Sequence, residues 1–472
     1  MQMPQDVGTF HIIGIGGIGM SAIAEILMAK GYSVQGSDQK ESANVRRLRS
    51  NGIRVFISHD AINLVGARTV VISTAVKPGN PELDAARAKG LPIVRRAEML
   101  AELMRLYRTV SITGTHGKTT TTSLVSHIFT EATLDPTVIT GGIINAWGSN
   151  ARLGKGEWMI VEADESDGTF IKLPTEVGVV TNIDPEHLDH FKTVENMHRE
   201  YETFLRNIPF YGLAVACSEH PVVDAMLDRL ALRSDGRRLL TYGSSVGSDL
   251  QLKGLSYDGG AMVIDADLGP RVRGGARQLR SWSIPILGHH NALNALAAIA
   301  IAAHAGIPDE AIRAALGTFS GVKRRFQISG TWNGMTIYDD YGHHPVEIAA
   351  VLAAARGAAR GRIVAICEPH RYTRVRDLFG EFCTCFEHAD SVIVGPMYSA
   401  GEAPVQGIDQ HSLARGIAAT GKPVIAVDSP HELVPLLRRH GRSGDSVVFF
   451  GAGNSTDWAH ALSGWLAVEA AQ

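Results

Sequence analysis

Residues 109–119 read TVSITGTHGKT, a short strand-forming run followed by a glycine-rich turn that ends in Gly-Lys-Thr. In such a loop, backbone N–H groups cradle phosphates, the lysine reaches the β- and γ-phosphates, and the threonine hydroxyl ligates Mg²⁺. The spacing departs from the usual phosphate-binding loop, because the residue five positions before Gly117 is Ile112 rather than glycine. The stretch therefore predicts a nucleoside-triphosphate site with a shortened loop.

Two further strands carry candidate metal ligands. The strand 158–161 ends at Glu162 in EADESDGTF, and a carboxylate there suits Mg²⁺, which prefers oxygen ligands. The strand 177–181 runs into NIDPEHLDHF, where His187 is a candidate ligand to a second metal. The alternatives are a solvated acidic loop for Glu162 and a structural role for His187. The predicted ATP contacts in the glycine-rich turn are Gly114, Thr115, His116, Gly117, Lys118, Thr119 and Thr120.

A second glycine-rich junction, GIGGIG at 14–19, follows the strand 10–13 and precedes a helix. Asp38 ends the next strand, where a carboxylate can accept a hydrogen bond from a ribose hydroxyl. The pattern indicates a nucleotide-diphosphate site, and a tight turn without ligand is the alternative. An NAD site needs two mononucleotide halves, but the phosphate loop begins after only about 100 residues, so a UDP-sugar fits better. The predicted UDP-sugar contacts are Gly14, Gly16, Gly17, Gly19, Met20, Ser37, Asp38 and Ser73.

The chain organisation predicts an α/β protein of three domains. Its 472 residues accommodate about three domains, and short β-branched runs alternate with Ala/Leu-rich segments, which is typical of βαβ units and parallel sheets. The predicted domains are 1–107, 108–320 and 321–472, with a strand-rich insert at 250–284 in the second. A third glycine-rich junction follows the strand 447–450.

Composition limits the classes of partner and compartment. The formal net charge is -3, so no overall basic field indicates nucleic acid or an anionic membrane surface. The four cysteines form no CxxC pair, which favours a reducing compartment over a disulfide framework. We see no signal peptide at the start, and the most apolar helix, around 293–305, is too short to cross a bilayer. We expect a cytoplasmic protein.

Seven motifs follow one another along nearly the whole chain: TGTHGKTTT, EADESD, TNIDPEHLDH, GHHNALNALAA, GVKRRF, DDYGHHP and EPHRYTR. Together they resemble the Mur ligase family. The resemblance implies a Rossmann-like UDP-binding domain, a central P-loop ATPase-like domain with a mostly parallel sheet, and a Rossmann-like C-terminal domain that closes over ATP. With the opening GIGGIGMSAIAE, it implies an ATP-dependent ligase that joins L-alanine to the carboxyl of UDP-N-acetylmuramate. An acyl phosphate would be the intermediate, ADP and phosphate would be released, and the pathway would be peptidoglycan precursor synthesis.

The resemblance also assigns residues. Lys118 and Thr119 match the family's phosphate and magnesium residues, and Glu162 and His187 match its metal ligands, which implies one or two Mg²⁺ ions. Arg325 matches the arginine that meets the phosphates when the domains close. His290, Asn291 and Asn294 match the family's adenine-side residues, and Asp339 or Asp340 matches the acid that holds the ATP ribose. The residues that match the side facing the muramate carboxyl and alanine are Tyr341, His343, His370, Arg371 and Arg374.

Lys118, Arg325 and His343 are the predicted catalytic residues. Lys118 and Arg325 would neutralise charge during phosphoryl transfer, and His343 is a candidate base for the alanine ammonium. Without the family pattern, the motifs have simpler interpretations. GHHNALNALAA would be an amphipathic helix, GVKRRF a solvated linker, and the arginines of EPHRYTR a surface face.

One stretch departs from the family pattern. Several related ligases carry a carbamylated lysine shortly after the metal histidine, but residues 193–210 contain no lysine. A second Mg²⁺ near a neutral histidine needs an anionic oxygen. We therefore predict that Glu202, which follows His187 by 15 residues, takes the place of the carbamate. The alternative is that Glu200 and Glu202 are exposed helix residues.

Other functions fit parts of the sequence. A ligase that attaches a recycled peptide to UDP-N-acetylmuramate shares most motifs. An NAD-dependent oxidoreductase would use the first glycine loop but does not need the phosphate loop with EADESD. A non-catalytic UDP-sugar-binding module would not need the adenine-side motif. The expected partners are UDP-N-acetylmuramate and L-alanine, and the expected assembly is a monomer or weak homodimer.

Overall fold

The computed structural model describes residues 7–73, 75–147, 149–258 and 260–468. They form three β-sheets flanked by helices, which confirms the predicted three-domain α/β fold. The predicted domain limits at 107 and 320 fall between the sheets. By compactness the chain divides into two units. The first is Met1–Lys253, Ala266–Arg280 and Leu293–Leu316, and the second is Gly254–Asp265, Ser281–Ala292 and Gly317–Gln472.

The first sheet has five parallel strands in the order β3-β2-β1-β4-β5. Its strands are β1 (Thr9–Ile13), β2 (Val34–Asp38), β3 (Arg54–Ile57), β4 (Ala67–Ile72) and β5 (Ile93–Arg95). Its helices are α1 (Ile18–Ala29), α2 (Ala43–Ser50), α3 (Pro81–Ala88) and α4 (Arg96–Met104). The strand order reverses between β1 and β4, and ligands of open α/β sheets bind in the crevice outside the carboxyl ends at such a point.

The second sheet has ten strands in the order β15-β14-β13-β12-β11-β10-β6-β9-β7-β8. The strands are β6 (Arg108–Thr113), β7 (Thr137–Ile144), β8 (Ser149–Arg152), β9 (Trp158–Glu162), β10 (Val177–Val180), β11 (Leu213–Cys217), β12 (Leu239–Gly243), β13 (Leu250–Asp258), β14 (Ala261–Leu268) and β15 (Arg277–Ile284). The helices that follow them are α5 (Lys118–Glu131), α6 (Leu188–Phe191), α7 (Val194–Asn207), α8 (Pro221–Leu230), α9 (His289–Ala305) and α10 (Asp309–Gly317). The strands β6 and β9–β12 pair in parallel, and the predicted insert forms the three strands at one edge.

The third sheet has the order β16-β17-β21-β18-β19-β20, with β16 antiparallel and the other pairs parallel. Its strands are β16 (Gln327–Trp332), β17 (Met335–Asp340), β18 (Ile363–Cys367), β19 (Ser391–Val394), β20 (Val424–Ala426) and β21 (Ser446–Phe450). Its helices are α11 (Pro345–Ala358), α12 (Tyr372–Asp377), α13 (Phe379–Thr384), α14 (Gln410–Ala418), α15 (Leu433–His440) and α16 (Ser455–Val468). In the described part of the chain, no helix has the length and apolar character needed to cross a membrane.

Candidate active site

The phosphate loop joins β6 to α5, as the sequence predicted. Gly114 (φ 130°) and Gly117 (φ 82°) adopt backbone conformations that favour glycine. A Cβ at Gly117 would also lie 2.7 Å from Asn294 Oδ1. The adenine-side residue Asn294 therefore adjoins the phosphate loop within the first unit.

The loop after β10 braces the phosphate loop from the side. Asn182 Oδ1 accepts the His116 N–H at 2.7 Å, and the Thr181 hydroxyl donates to the His116 carbonyl at 2.7 Å. Because β6 and β10 are parallel neighbours, their carboxyl ends meet at one edge of the sheet. Asn182 and Thr181 thus hold the backbone that would face the phosphates.

Lys118 begins α5 and makes contacts inside its own loop. Its Nζ donates to the Gly114 carbonyl at 2.6 Å, the Thr115 carbonyl at 3.0 Å and Glu165 Oε1 at 2.8 Å. Burial lowers the pKa of the ammonium, but the charge and hydrogen bond of Glu165 outweigh burial and raise it. Lys118 is therefore a positively charged side chain, fixed in place, at the position predicted to contact the β- and γ-phosphates.

Glu162 lies beside Thr119, the other predicted magnesium residue. Its carboxylate accepts hydrogen bonds from the Thr119 hydroxyl at 3.1 Å, the Thr140 hydroxyl at 2.6 Å and the Gly141 N–H at 2.7 Å. The parallel pairing of β6 with β9 brings these groups together. Hydroxyl and carboxylate oxygens are the ligands that Mg²⁺ prefers, so the pair fits that ion.

His187 belongs to a second group of potential ligands. Ligand atoms of Glu165, Glu186 and His187 all lie within 4.8 Å of one another, and His187 Nε2 is 3.9 Å from each carboxylate. Glu202, predicted from the sequence as the anionic ligand, is not in this group. Its Oε1 instead accepts a hydrogen bond from Arg229 at 2.9 Å on the exposed side of α7. The negative charge beside His187 thus comes from Glu165 and Glu186.

Asp184 ties the phosphate loop to α8. Its carboxylate lies 3.4 Å from His116 Nε2 and 3.3 Å from His220 Nε2. Burial alone would raise the pKa of Asp184, but the hydrogen bonds of His116 and His220 outweigh it and lower the pKa well below its usual range. The sequence reasoning passed over Asp184, Glu165 and Asn182, although all three stand within motifs that it quoted.

The first glycine loop follows β1 at the reversal point of the first sheet. Gly14 has φ 74°, and the Gly16 N–H donates to Asp38 Oδ2 at 2.9 Å. Asn44 Nδ2 donates to the Gly16 carbonyl at 2.9 Å. Asp38, predicted to hold a ribose, also shapes the loop. Ser73 follows β4, on the other side of the crevice.

Two predicted UDP-sugar contacts lie inside the domain. Ser37 and Met20 are buried, and the Ser37 hydroxyl donates to Glu82 Oε2 at 2.6 Å. The Ser37 carbonyl accepts the N–H groups of Gly14 and Ile15 at 2.8 and 2.9 Å. Ser37 therefore supports the loop from within rather than presenting its hydroxyl at the loop surface.

A cavity of about 270 Å³ connects this region to Glu162, the predicted magnesium ligand. Its lining includes Gly19, Arg96, Thr140, Glu162 and Asp164. Gly19 of the first glycine loop and Glu162, a predicted magnesium ligand, thus face one space. The sequence reasoning missed Arg96, whose guanidinium would lie 3.1 Å from a Cβ at Gly19.

Asp339 and Asp340 end β17 in the second unit, and both are buried. Asp340 accepts the N–H groups of Phe326 at 2.8 Å and Gly342 at 2.7 Å, and burial raises its pKa to about 6. Asp339 Oδ1 accepts from Thr456 at 3.2 Å, while its Oδ2 has no hydrogen-bond partner among the described residues. Of the two predicted ribose acids, Asp339 is the one with a carboxylate oxygen that accepts no hydrogen bond from the described residues.

Tyr341, His343 and His370 form a continuous ring cluster. The Tyr341 and His343 rings are 5.2 Å apart, and the His343 and His370 rings are 5.5 Å apart. His343 Nδ1 lies 3.0 Å from the Tyr341 carbonyl, which can only accept, so Nδ1 carries the proton and Nε2 is the basic nitrogen. Burial lowers the pKa of His370 to about 4, followed by the charge that His343 carries when it is protonated and by the charges of Arg374 and Arg371.

Two glutamates hold the basic residues of this cluster. Glu402 lies 3.3 Å from Arg371 and accepts the Thr373 hydroxyl at 2.8 Å. Glu347 lies 3.9 Å from Arg325 and accepts a hydrogen bond from the backbone N–H of His343 at 3.1 Å. The sequence reasoning named none of these acidic partners. Arg374 Nη1 donates to His370 Nδ1 at 3.1 Å, which joins the predicted pair.

The remaining adenine-side residues open α9. Asn291 Nδ2 donates to the Leu287 carbonyl at 2.7 Å, and the His290 ring lies against Gly288, whose φ is 107°. These contacts hold the turn that precedes α9, and both residues lie in the second unit.

Three comparisons place this architecture among known proteins. Residues 9–108 match "Mur ligase family, catalytic domain", residues 112–302 match "Mur ligase middle domain", and residues 324–453 match "Mur ligase, glutamate ligase domain". A UDP-N-acetylmuramate–L-alanine ligase from Azorhizobium caulinodans is 55% identical over 467 residues, covering 99% of each chain. The chain belongs to the Mur ligase family. A ligase of the same description from Nitrobacter hamburgensis is 54% identical, again over 99% of each chain.

Solved structures share the fold of this Mur ligase. The UDP-N-acetylmuramate–alanine ligase of Thermotoga maritima aligns with a TM-score of 0.77 and 27% identity, over 98% of this chain and 100% of that one. A murein peptide ligase from Psychrobacter arcticus aligns with a TM-score of 0.63 and 22% identity, over 97% of this chain and 98% of that chain, which supports the fold alone.

Proposed function

We propose that this Mur ligase uses ATP to join L-alanine to the carboxyl of UDP-N-acetylmuramate in peptidoglycan precursor synthesis. The observation that carries the proposal is the 55% identity, over nearly the full length of both chains, to a relative described by that activity. The cavity shared by the first glycine loop and Glu162 supports it, because a substrate with a UDP end and a reacting carboxylate needs both ends in one space.

The first chemical step transfers the γ-phosphoryl group of ATP to a muramate carboxylate oxygen, and ADP leaves. Such a transfer needs positioning and charge neutralisation rather than covalent help from the protein. Lys118 is suited to the phosphates because its ammonium is charged and fixed on the phosphate loop. To meet them it exchanges its contacts with Gly114, Thr115 and Glu165 for phosphate oxygens.

Magnesium is the cofactor that suits the acidic groups. Thr119 and Glu162 would hold one ion, and Glu165, Glu186 and His187 would hold a second. When bound, Mg²⁺ neutralises charge on the transferring phosphoryl group. Glu165 belongs to this second group and also accepts a hydrogen bond from Lys118, so its carboxylate becomes available to a metal ion when Lys118 turns to the phosphates.

In the second step the alanine nitrogen attacks the acyl-phosphate carbon, and inorganic phosphate leaves. Alanine arrives as an ammonium ion and must first lose a proton. His343 is our candidate base, because its Nδ1–H is held by the Tyr341 carbonyl and its Nε2 is the basic nitrogen. Arg371 and Arg374 are candidates for the carboxylate of alanine, since planar guanidinium groups suit bidentate carboxylate recognition.

The test is a phosphate-release assay in which each substrate is omitted in turn. We expect phosphate release only when ATP, Mg²⁺, UDP-N-acetylmuramate and L-alanine are all present. Equal release without the amino acid would reduce the protein to an ATPase and contradict the proposal. Release without UDP-N-acetylmuramate would contradict the assignment of the acceptor.

A further inference from the structure

A basic cavity lies at the opposite edge of the second sheet from the phosphate loop. It has a volume of about 740 Å³ and is lined in part by Leu213 and Leu239, the first residues of β11 and β12. The phosphate loop follows the carboxyl end of β6, which runs parallel to these strands through β10. The cavity is therefore separate from the ATP and UDP-sugar positions.

Five arginines and a histidine line this space, which we call the arginine cavity: Arg233, Arg237, Arg238, Arg271, Arg273 and His304. No carboxylate occurs among its described lining residues. The buried carboxylate of Asp249 pairs with Arg233 and with Arg271 Nη1, the latter at 3.0 Å. One acidic group thus faces two of five guanidinium groups, in a protein whose net charge is -3.

Two of the arginines are held in place by the ends of helices. Arg237 Nη1 donates to the Arg206 carbonyl at 2.9 Å, and Arg273 Nη1 donates to the His304 carbonyl at 2.9 Å. A guanidinium has five N–H donors, so a single anchored nitrogen leaves the rest of the fork available. Gly306 (φ 87°) makes room for Arg273, because a Cβ there would lie 3.0 Å from its Nη1.

Arg238 has no anchor. Its guanidinium makes no hydrogen bond or ion pair to any described residue, although its charge acts on His304. Burial lowers the pKa of His304, and Arg108, Arg238 and Arg273 lower it further against the opposing charge of Glu176. Arg237, Arg238 and Arg273 therefore carry positive charge that no carboxylate of the described residues pairs with.

We propose that the arginine cavity binds a small, multiply phosphorylated anion. Guanidinium forks match phosphate oxygens bidentately, and several like charges in one cavity are stabilised best by an anion carrying several charges. The volume lies within the range of about 300–1,000 Å³ that small-molecule sites occupy. Polyphosphate chains, whether free or attached to a nucleoside, have the required charge and length.

Calorimetric titration of the full chain with inorganic tripolyphosphate tests the proposal. We expect wild type to bind two equivalents, one at the phosphate loop and one in the arginine cavity. R238Q/R273Q removes two charges and leaves Arg233 and Arg271, the partners of Asp249, in place. It should lower the affinity for one of the two bound tripolyphosphate molecules at least about tenfold. K118A should weaken the other. R87Q/R439Q, which removes two exposed arginines elsewhere, is the matched control and should bind like wild type.

A second readout follows the His304 imidazole by NMR, with H304Q for assignment. A bound anion favours the imidazolium form, so tripolyphosphate should raise the pKa of His304 in wild type and in K118A but not in R238Q/R273Q. Equal binding by R238Q/R273Q and R87Q/R439Q would overturn the proposal. If single-stranded RNA bound through the same arginines more tightly than tripolyphosphate, the ligand would be a polymer and the proposal of a small anion would be wrong.

Discussion

Lys118 and Glu165 form a buried ion pair at the phosphate loop. Lys118→Ala should abolish ATP turnover, because the phosphates lose their fixed cation, while UDP-N-acetylmuramate binding should persist. Removing one partner of a buried pair also costs about 3–5 kcal/mol of stability. The measurement is phosphate release together with calorimetric binding of UDP-N-acetylmuramate.

The double variant K118A/E165Q is the control for that loss of stability. Without the unpaired carboxylate it should regain most of the melting temperature but no turnover. Near-normal phosphate release by Lys118→Ala would contradict the assignment of residues 114–119 as the phosphate-binding loop.

Glu186 and Glu202 give opposite predictions for the second metal. The structure groups Glu186 with His187 and pairs Glu202 with Arg229. Glu186→Gln should therefore raise the Mg²⁺ concentration required for half-maximal turnover severalfold, and the matched Glu202→Gln should leave it unchanged. Turnover should not depend on added bicarbonate. A raised Mg²⁺ requirement in Glu202→Gln alone would restore the prediction made from the sequence.

These residues differ in how well the sequence predicts their place in the candidate site. Lys118 and Thr119 were predicted because they follow the glycines of a loop between a strand and a helix, and Glu162 because it ends a strand in an acidic motif. Glu202 was chosen by counting residues, and counting does not reveal that Arg229, 27 positions away, occupies its carboxylate. Ser37 and Met20 were assigned by proximity to the glycine loop, but whether a side chain points outward depends on packing that spacing does not specify.

At the scale of elements, the strand–loop–helix unit of β6 and α5 depends on its two glycines. Gly114→Ala should lower the free energy of unfolding by at least about 1–3 kcal/mol, because φ 130° strains a side chain and a Cβ would clash with Thr181. Gly52→Ala is the control, since Gly52 has φ 92° but open space around it. Denaturant unfolding of both variants separates the clash from the backbone strain. Equal losses would mean that Thr181 does not constrain the loop.

The strands near the site were predictable to within a residue or two, because short β-branched runs end at glycines or carboxylates. The hydrogen bonds that connect the loops after neighbouring strands were not predictable from the sequence. Asn182 reaches His116 across 66 positions, and this contact follows from the neighbouring places of β6 and β10 in the sheet. Strand order is a property of the folded sheet, and local pattern carries little information about it.

At the scale of the whole molecule, the three-sheet architecture followed from motif spacing. Compactness, however, groups the first sheet and most of the second into one unit, while Gly254–Asp265 and Ser281–Ala292, which hold parts of β13, β14 and β15, belong to the other. A cavity of about 270 Å³, with Gly19 and Glu162 among its lining residues, lies within that unit. The domain limits at 107 and 320 remain predictions about independent folding.

The proposed function requires free L-alanine as the amine substrate. The most direct measurement offers equal concentrations of L-alanine and a preformed tripeptide with ATP and UDP-N-acetylmuramate, and determines the product ratio by mass spectrometry. That ratio equals the ratio of kcat/KM values. Slow use of glycine or serine would be compatible, because one methylene discriminates by only about 1–3 kcal/mol. We predict that the L-alanine adduct dominates, and a dominant tripeptide adduct would contradict the account.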